Sequence, residues 1–283
     1  MTTLIQILKK TEEFFSKKQI PSPRLDAQIL LGHVLQMDKM QLYLNHDLPL
    51  AKNEVDQIRQ LVIRRGNREP IAYIIGSKGF YEHDFIVTSG VLCPRPDTET
   101  LVEAALGLLP DDKEFFIADV GCGTGCIGLS IAAAKPFVKV FATDISPIAI
   151  QCTKNNAKKL ALTTRVAVLS GSLLEPIPSN RSIDLVVSNP PYIPTEDLQT
   201  LSPEVAVHEP KLALDGGADG LSFYRNLIPE AARRARLAVL VEVGIKQAEA
   251  VQVLMEESGL QRCEIHCDLA NIARVVVGYR GEN

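Results

Sequence analysis

Hydrophobic positions along the chain change their period twice, and the changes divide it into three stretches. In the first seventy residues Leu4, Ile7, Leu8, Thr11, Phe14 and Phe15 recur at helical spacing until Pro21-Ser-Pro23 stops the run. Ala27, Leu30, Leu31, Val34 and Leu35 form a second apolar stripe. Val55, Ile58, Leu61 and Val62 form a third, with Arg59, Arg64 and Arg65 among its polar positions. No alternating pattern interrupts them, and a small helical bundle is the natural way to bury three such stripes. From Gly79 to Gly90 the chain turns aromatic and β-branched between glycines, which predicts a hairpin. Pro94-Arg-Pro-Asp-Thr-Glu99 follows, where Asp97 or Thr98 is placed to cap a helix through Leu101, Val102, Ala105 and Leu108.

Beyond residue 115 strand and helix alternate. Strands are predicted at Phe115–Val120, Val138–Thr143, Arg165–Leu169 and Ile183–Ser188, with helices at Cys126–Ala134 and Pro147–Leu160. Leu237–Val243 and Arg274–Tyr279 supply later strands. Repeated β-α-β units give an α/β fold: a mostly parallel, doubly wound sheet with ligands at the carboxyl ends of its strands. The expected organisation is a helical bundle over 1–75, a β-hairpin linker over 76–95 and the α/β domain over 96–283.

Composition narrows the class without choosing a function. The 283 residues are 46% hydrophobic and 23% charged, ordinary values that exclude a disordered or low-complexity chain. No apolar run reaches the roughly 18–20 residues needed to cross a bilayer. The start lacks a signal peptide's basic-then-apolar order and meets Lys9 and Lys10 at once, so a cytoplasmic location without membrane attachment is expected. The net charge is −4, which does not mark a nucleic-acid binder. Residues 1–70 carry eleven basic and eight acidic side chains, a balance of +3, leaving −7 to the remainder. Six cysteines are too sparse for a disulfide scaffold, and neither Cys122/Cys126 nor Cys263/Cys267 with His266 completes a zinc set. Reduced structural thiols and no metal are expected.

Three motifs carry the chemistry. Asp119-Val-Gly121-Cys122-Gly123-Thr124-Gly125 sits between strand and helix, where glycines let the backbone approach a ligand. Gly123, Gly125 and Gly128 also satisfy the dinucleotide fingerprint, so the loop alone does not choose between a nicotinamide and another adenosine cofactor. Asp144, about twenty residues on, is placed to accept both ribose hydroxyls. The decisive element is Asn189-Pro190-Pro191-Tyr192 after the fourth strand. Its prolines remove two N–H donors and leave an acceptor pair, the Asn189 side-chain oxygen and the Pro190 carbonyl. Such a pair holds both hydrogens of a planar NH2 group, with Tyr192 as a flat wall. An oxidoreductase has no use for that arrangement; an N-methyltransferase acting on an amide or an exocyclic amine does. An enzyme acting on a flipped-out adenine is the nearest rival, and the acidic balance after residue 70 speaks against it.

With these motifs in place the sequence resembles the class I S-adenosylmethionine-dependent methyltransferases, and more narrowly the release factor glutamine N5-methyltransferases. The resemblance runs through Pro94–Glu99, Asp119–Gly125, Asp144, Asn189–Tyr192, Glu209–Gly220, and Glu242 with Gln247. It implies a Rossmann-like methyltransferase domain behind a helical bundle and hairpin, covering essentially the whole chain. It also implies S-adenosyl-L-methionine as cofactor, S-adenosyl-L-homocysteine as product and class 1 peptide chain release factors as partner. The substrate group would be the glutamine of the Gly-Gly-Gln motif, and the protein a monomer. Gly121, Cys122, Gly123, Thr124, Gly125, Asp144, Ser172, Leu173 and Asn189 would hold the cofactor; Asn189, Pro190, Pro191 and Tyr192 would be catalytic, with Phe80 or Phe85 walling the glutamine pocket. Two positions depart from the family pattern: Ser172 stands where an acid facing the adenine is usual, and Cys93 where an aliphatic residue is usual.

Overall fold

The structure is a computed structural model that describes residues 2–281. It divides into two compact units, one running up to Gly76 and joined by Ser202–His208, the other comprising Ser77–Leu201 and the chain from Glu209 on.

The helical unit holds α1 (Leu4–Lys17), α2 (Pro23–Leu35), α3 (Lys39–Leu44), α4 (Lys52–Gly66) and α5 (Ile71–Ile75). Pro23 is the first residue of α2, where its missing N–H costs nothing. Asp38 caps α3 by accepting from the Gln41 backbone at 2.7 Å. The three apolar stripes meet in one core around Leu4, Leu8, Phe15, Ala27, Leu30, Leu31 and Ile58. Arg65, expected among the polar positions of its helix, is instead only 5% exposed. Its guanidinium bonds Asp26 at 2.7 Å and Glu204 at 3.0 Å, so its charge is neutralised inside the unit. Glu204 also takes Arg68 at 2.7 Å. These pairs explain why Ser202–His208 clusters with the helices rather than with the α/β unit to which the sequence partition assigned it.

The α/β unit opens with a hairpin, β1 (Ser77–Phe80) and β2 (His83–Ile86). There follow α6 (Glu99–Gly107), β3 (Phe115–Val120), α7 (Cys126–Ala134), β4 (Val138–Asp144), α8 (Pro147–Lys159), β5 (Val166–Ser170) and β6 (Ile183–Ser188). Next is α9 (Pro203–His208), the segment held by the helical unit. The chain ends with α10 (Ser222–Arg234), β7 (Ala235–Glu242), α11 (Ala248–Glu257), β8 (Arg262–Cys267) and β9 (Ala273–Tyr279). The main sheet has the order β5-β4-β3-β6-β7-β9-β8. The first five strands are parallel, and β9 enters antiparallel between β7 and β8. A nicotinamide-binding sheet runs 3-2-1-4-5-6; the inserted antiparallel strand departs from that order.

Residues of the central strands alternate between two cores. Leu185, Val187, Ala238 and Leu240 face one side, and Val186, Val239 and Val241 the other. Both faces are covered, so β6 is buried along its whole length, with Leu185, Val186 and Val187 at its centre. Phe80 and Phe85 of the hairpin are 2% and 0% exposed and pack into the first of these cores. Neither lines the cavity at the carboxyl ends of the strands, where the sequence expectation would place them as a wall.

Candidate active site

At the carboxyl ends of β3, β4 and β6 lies a cavity of about 600 Å3, within the usual range of ligand pockets. Gly121, Cys122, Gly123, Thr124, Asp144, Ser172, Leu173, Asn189 and Pro191 all line it. Gly125, Pro190 and Tyr192 are not part of that lining.

The glycine loop leaves β3 through Gly121 at φ +70°, Gly123 at +57° and Gly125 at +81°, angles that a Cβ disfavours. At Gly121 no described residue other than its chain neighbours lies within 4 Å of where a Cβ would stand, so the backbone is bare on that side. Gly125 serves packing instead: a Cβ there would meet Thr153 at 2.8 Å. Gly128 likewise lets α7 press onto β3 and β4, its missing Cβ being 2.9 Å from Asp119 and Val140.

Two buried side chains of α8 complete the loop, and sequence reasoning gave them no role. Thr153 donates to the Gly123 carbonyl at 2.9 Å. Asn156 donates to the Thr124 carbonyl at 2.9 Å and exchanges bonds with the Ile86 backbone at 2.7 and 3.0 Å. Polar residues inside an otherwise ordinary amphipathic helix gave no periodic signal of this task. The Asp144 carboxylate is oriented by the backbone N–H of Gly123 at 3.0 Å and of Ser146 at 2.9 Å. Each oxygen retains a lone pair for a further donor.

The side chains of residues 95–99, at the start of α6, reach four separate parts of the α/β unit. Arg95 pairs with the buried Glu209 at 2.6 Å. Asp97 pairs with Arg274 of β9 at 2.8 Å. Glu99 accepts from the Tyr81 backbone at 2.9 Å. Thr98 is the N-cap residue of α6, yet its side chain makes no cap. Its hydroxyl instead accepts from Asn189 Nδ2 at 3.0 Å. Asn189 lines the cavity with its nitrogen turned to Thr98, so its other arm, Oδ1, is left for a ligand.

Tyr192 is half-buried beside Asn189. Its hydroxyl reaches Glu242 Oε1 at 3.4 Å and its carbonyl accepts from Gln247 at 2.9 Å. A Cβ on Gly216 or Gly220 would stand 2.8 Å from the Tyr192 Cα or 2.4 Å from its carbonyl oxygen. The Asp-Gly-Gly-Ala-Asp-Gly stretch is therefore the bed on which the motif lies. Burial pushes the Tyr192 phenol well above its ordinary range, with Glu242 adding to the effect. Burial also pushes the Asp119 carboxyl up to about 7 against the Gly128 N–H that holds it. All six cysteines are unpaired; Cys263 and Cys267 lie on β8, a charged edge strand.

Two family models match the chain, PrmC N-terminal domain over residues 6–76 and Methyltransferase small domain over residues 90–217. Over 281 residues the chain is 42% identical to the release factor glutamine methyltransferase of Geobacter sulfurreducens, covering 99% of this chain and 97% of that protein. The Moorella thermoacetica protein of the same name is 40% identical, with 99% of each chain covered. Among solved structures, the catalytic domain of human METTL16 in complex with a MAT2A 3′UTR hairpin superposes with a TM-score of 0.56 at 14% identity, covering 82% of this chain and 84% of that one. The METTL16 N-terminal domain in complex with SAH gives 0.52, also at 14% identity, over 89% and 91%. At such identities the likeness concerns the fold. None of the described helices is long and apolar enough to cross a membrane.

Proposed function

The chain belongs to the release factor glutamine methyltransferases, and from that premise we propose that it methylates N5 of the glutamine in the Gly-Gly-Gln motif of class 1 peptide chain release factors, supporting translation termination. The observation that carries this reading is the fixed Asn189 carboxamide at the cavity, anchored through Nδ2 with Oδ1 to spare.

The cavity's residues fit S-adenosylmethionine. Asp144, already oriented by two backbone N–H groups, would accept the ribose hydroxyls. The apolar Ile145 and Leu173, with the Ser172 hydroxyl, would hold the adenine, and the bare backbone at Gly121–Thr124 the amino-acid end. When bound, the cofactor supplies a methyl group already activated on a sulfonium.

The chain's own task is then to make a poor nucleophile react. A primary amide's nitrogen lone pair is delocalised into its carbonyl. Asn189 Oδ1 and the Pro190 carbonyl would accept the two N–H hydrogens, turning the lone pair toward the methyl and favouring positive charge as it develops on nitrogen. Pro191 keeps any backbone N–H from competing for those acceptors. Tyr192, held by Gln247 and Glu242, would wall the glutamine. Loss of one proton from the methylated nitrogen, strongly acidic at that stage, restores the amide without a dedicated base. The helical unit would dock the release factor.

The test is transfer from labelled S-adenosylmethionine to either release factor or adenine-rich DNA. Label in the release factor supports the reading. Label in DNA alone, or no cofactor binding, contradicts it.

A further inference from the structure

Thr143, the last residue but one of β4, is buried at the edge of the cavity, and the proposed chemistry gives it no part. Two segments that border the cavity are tied to it. Its backbone carbonyl accepts from the N–H of Gly121 at 2.9 Å and of Cys122 at 3.0 Å, where the glycine loop leaves β3. Its hydroxyl donates to the Leu173 carbonyl at 2.8 Å, in the turn that leaves β5. The neighbouring Asp144 carbonyl accepts from the Gly171 N–H of the same turn at 3.0 Å.

Leu173 needs such a hold. Its φ is +48°, in the left-handed region that strains an L side chain and favours glycine. In that conformation Ser172 and Leu173 line the cavity. The Ser172 carbonyl accepts from the Glu175 N–H at 3.1 Å, a bond local to the turn, whereas the Leu173 carbonyl is tied to the sheet by Thr143. A valine at position 143 would fill the same space and offer no donor. The Leu173 carbonyl would then lose that partner, and its backbone would be freer to relax to negative φ.

We infer that Thr143 is a positioning residue for the cofactor, whose hydroxyl holds the Gly171–Leu173 turn in the shape that forms the adenine wall. The inference rests on the proposed placement of the adenine against Ile145, Ser172 and Leu173. Two atoms of one residue thereby serve the two halves of the cofactor. The hydroxyl sets the wall for the nucleoside. The backbone carbonyl, which a side-chain replacement leaves in place, sets the glycine loop for the amino-acid end. With Ser172 where an acid is usual, the shape of the wall carries more of the grip on the base.

The test is the calorimetric affinity of wild type, T143V, T143A and T143S for S-adenosylhomocysteine and for 5′-methylthioadenosine, which keeps the nucleoside and lacks the amino-acid end. Methyl transfer to release factor is measured alongside. T143V should raise both Kd values about 5–50-fold, as expected for losing one buried hydrogen bond. T143A should do the same, and decides the matter if T143V folds poorly. At saturating S-adenosylmethionine, kcat and the release factor KM should stay within about threefold of wild type. T143S, which keeps the hydroxyl, should bind both ligands within about threefold of wild type. Three results overturn the inference while leaving the proposed function standing: unchanged affinity in T143V and T143A, a T143S as weak as they are, or a loss seen with S-adenosylhomocysteine but not with 5′-methylthioadenosine. A kcat that falls as far as the affinity also overturns it. No binding of S-adenosylhomocysteine by wild type overturns both.

Discussion

Arg65 offers a sharp test of how the helical unit is held. The perturbation is Arg65→Met, which keeps an unbranched side chain of similar length and removes the charge. In the native unit the guanidinium bonds Asp26 at 2.7 Å, Glu204 at 3.0 Å and the Glu69 carbonyl at 3.1 Å. The Arg65, Asp26 and Glu204 side chains are 6%, 10% and 15% exposed, so solvent cannot take over. Glu204 would keep Arg68, but Asp26 would be left as a buried carboxylate without a cation. Breaking one side of a buried pair costs about 3–5 kcal/mol. At about 4–8 °C per kcal/mol for a unit of this size, its melting temperature should drop by roughly 12–40 °C. The double variant D26L/R65M should recover most of that loss, because apolar groups often replace a buried pair at little cost. The chain has no tryptophan, so urea and thermal unfolding are best followed by far-UV circular dichroism. A loss below about 1 kcal/mol for R65M, or a double variant equal to the sum of its singles, would refute the reasoning.

Three further outcomes follow from the α/β unit. Asn189→Ala should remove most methyl transfer, on the order of 100-fold or more, while calorimetry finds the S-adenosylhomocysteine Kd nearly unchanged. Asp144→Ala should weaken S-adenosylhomocysteine by at least about 100-fold, since charged hydrogen bonds contribute roughly 1.5–3 kcal/mol each. Asp119 is held near 7 by burial, above its ordinary 3.8, so the native state keeps a proton that the unfolded chain has released. Its contribution therefore favours folding at low pH and is lost as pH rises from about 4 to 7, by up to about 1.4 kcal/mol per unit. Asp119→Asn should flatten the stability profile in that window, as read from urea midpoints; a profile of unchanged slope would contradict the assignment.

The sequence made the site's outline readable and left its supports hidden. Strand ends such as Ile183–Ser188 and the helix Cys126–Ala134 announce themselves because apolar runs and glycine turns are local signals. Asp144 and Asn189 followed because both close predicted strands, and both line the cavity. The helix Ser222–Arg234 escaped because Pro229 sits inside it, although Tyr224, Leu227, Ile228 and Ala231 keep helical spacing and are fully buried. The edge strand Arg262–Cys267 is hard to read because its Cys263, His266 and Cys267 break the strand's apolar pattern. The sequence offers Asp97 or Thr98 as a helix cap, but the partner of the Thr98 hydroxyl, Asn189, lies 91 residues away. The helical period sets Arg65 among the polar positions of its helix, and its partner Asp26 is 39 residues distant. Bonds of that span are set by tertiary packing, which no short window of sequence contains.

The central claim concerns one nitrogen atom. Purified protein, S-adenosylmethionine and a class 1 release factor should yield a release factor heavier by one methyl group, and fragmentation mass spectrometry should place it on the Gly-Gly-Gln glutamine side chain. A methyl group found on any other residue, or an unmodified release factor with cofactor bound to the enzyme, would contradict the account.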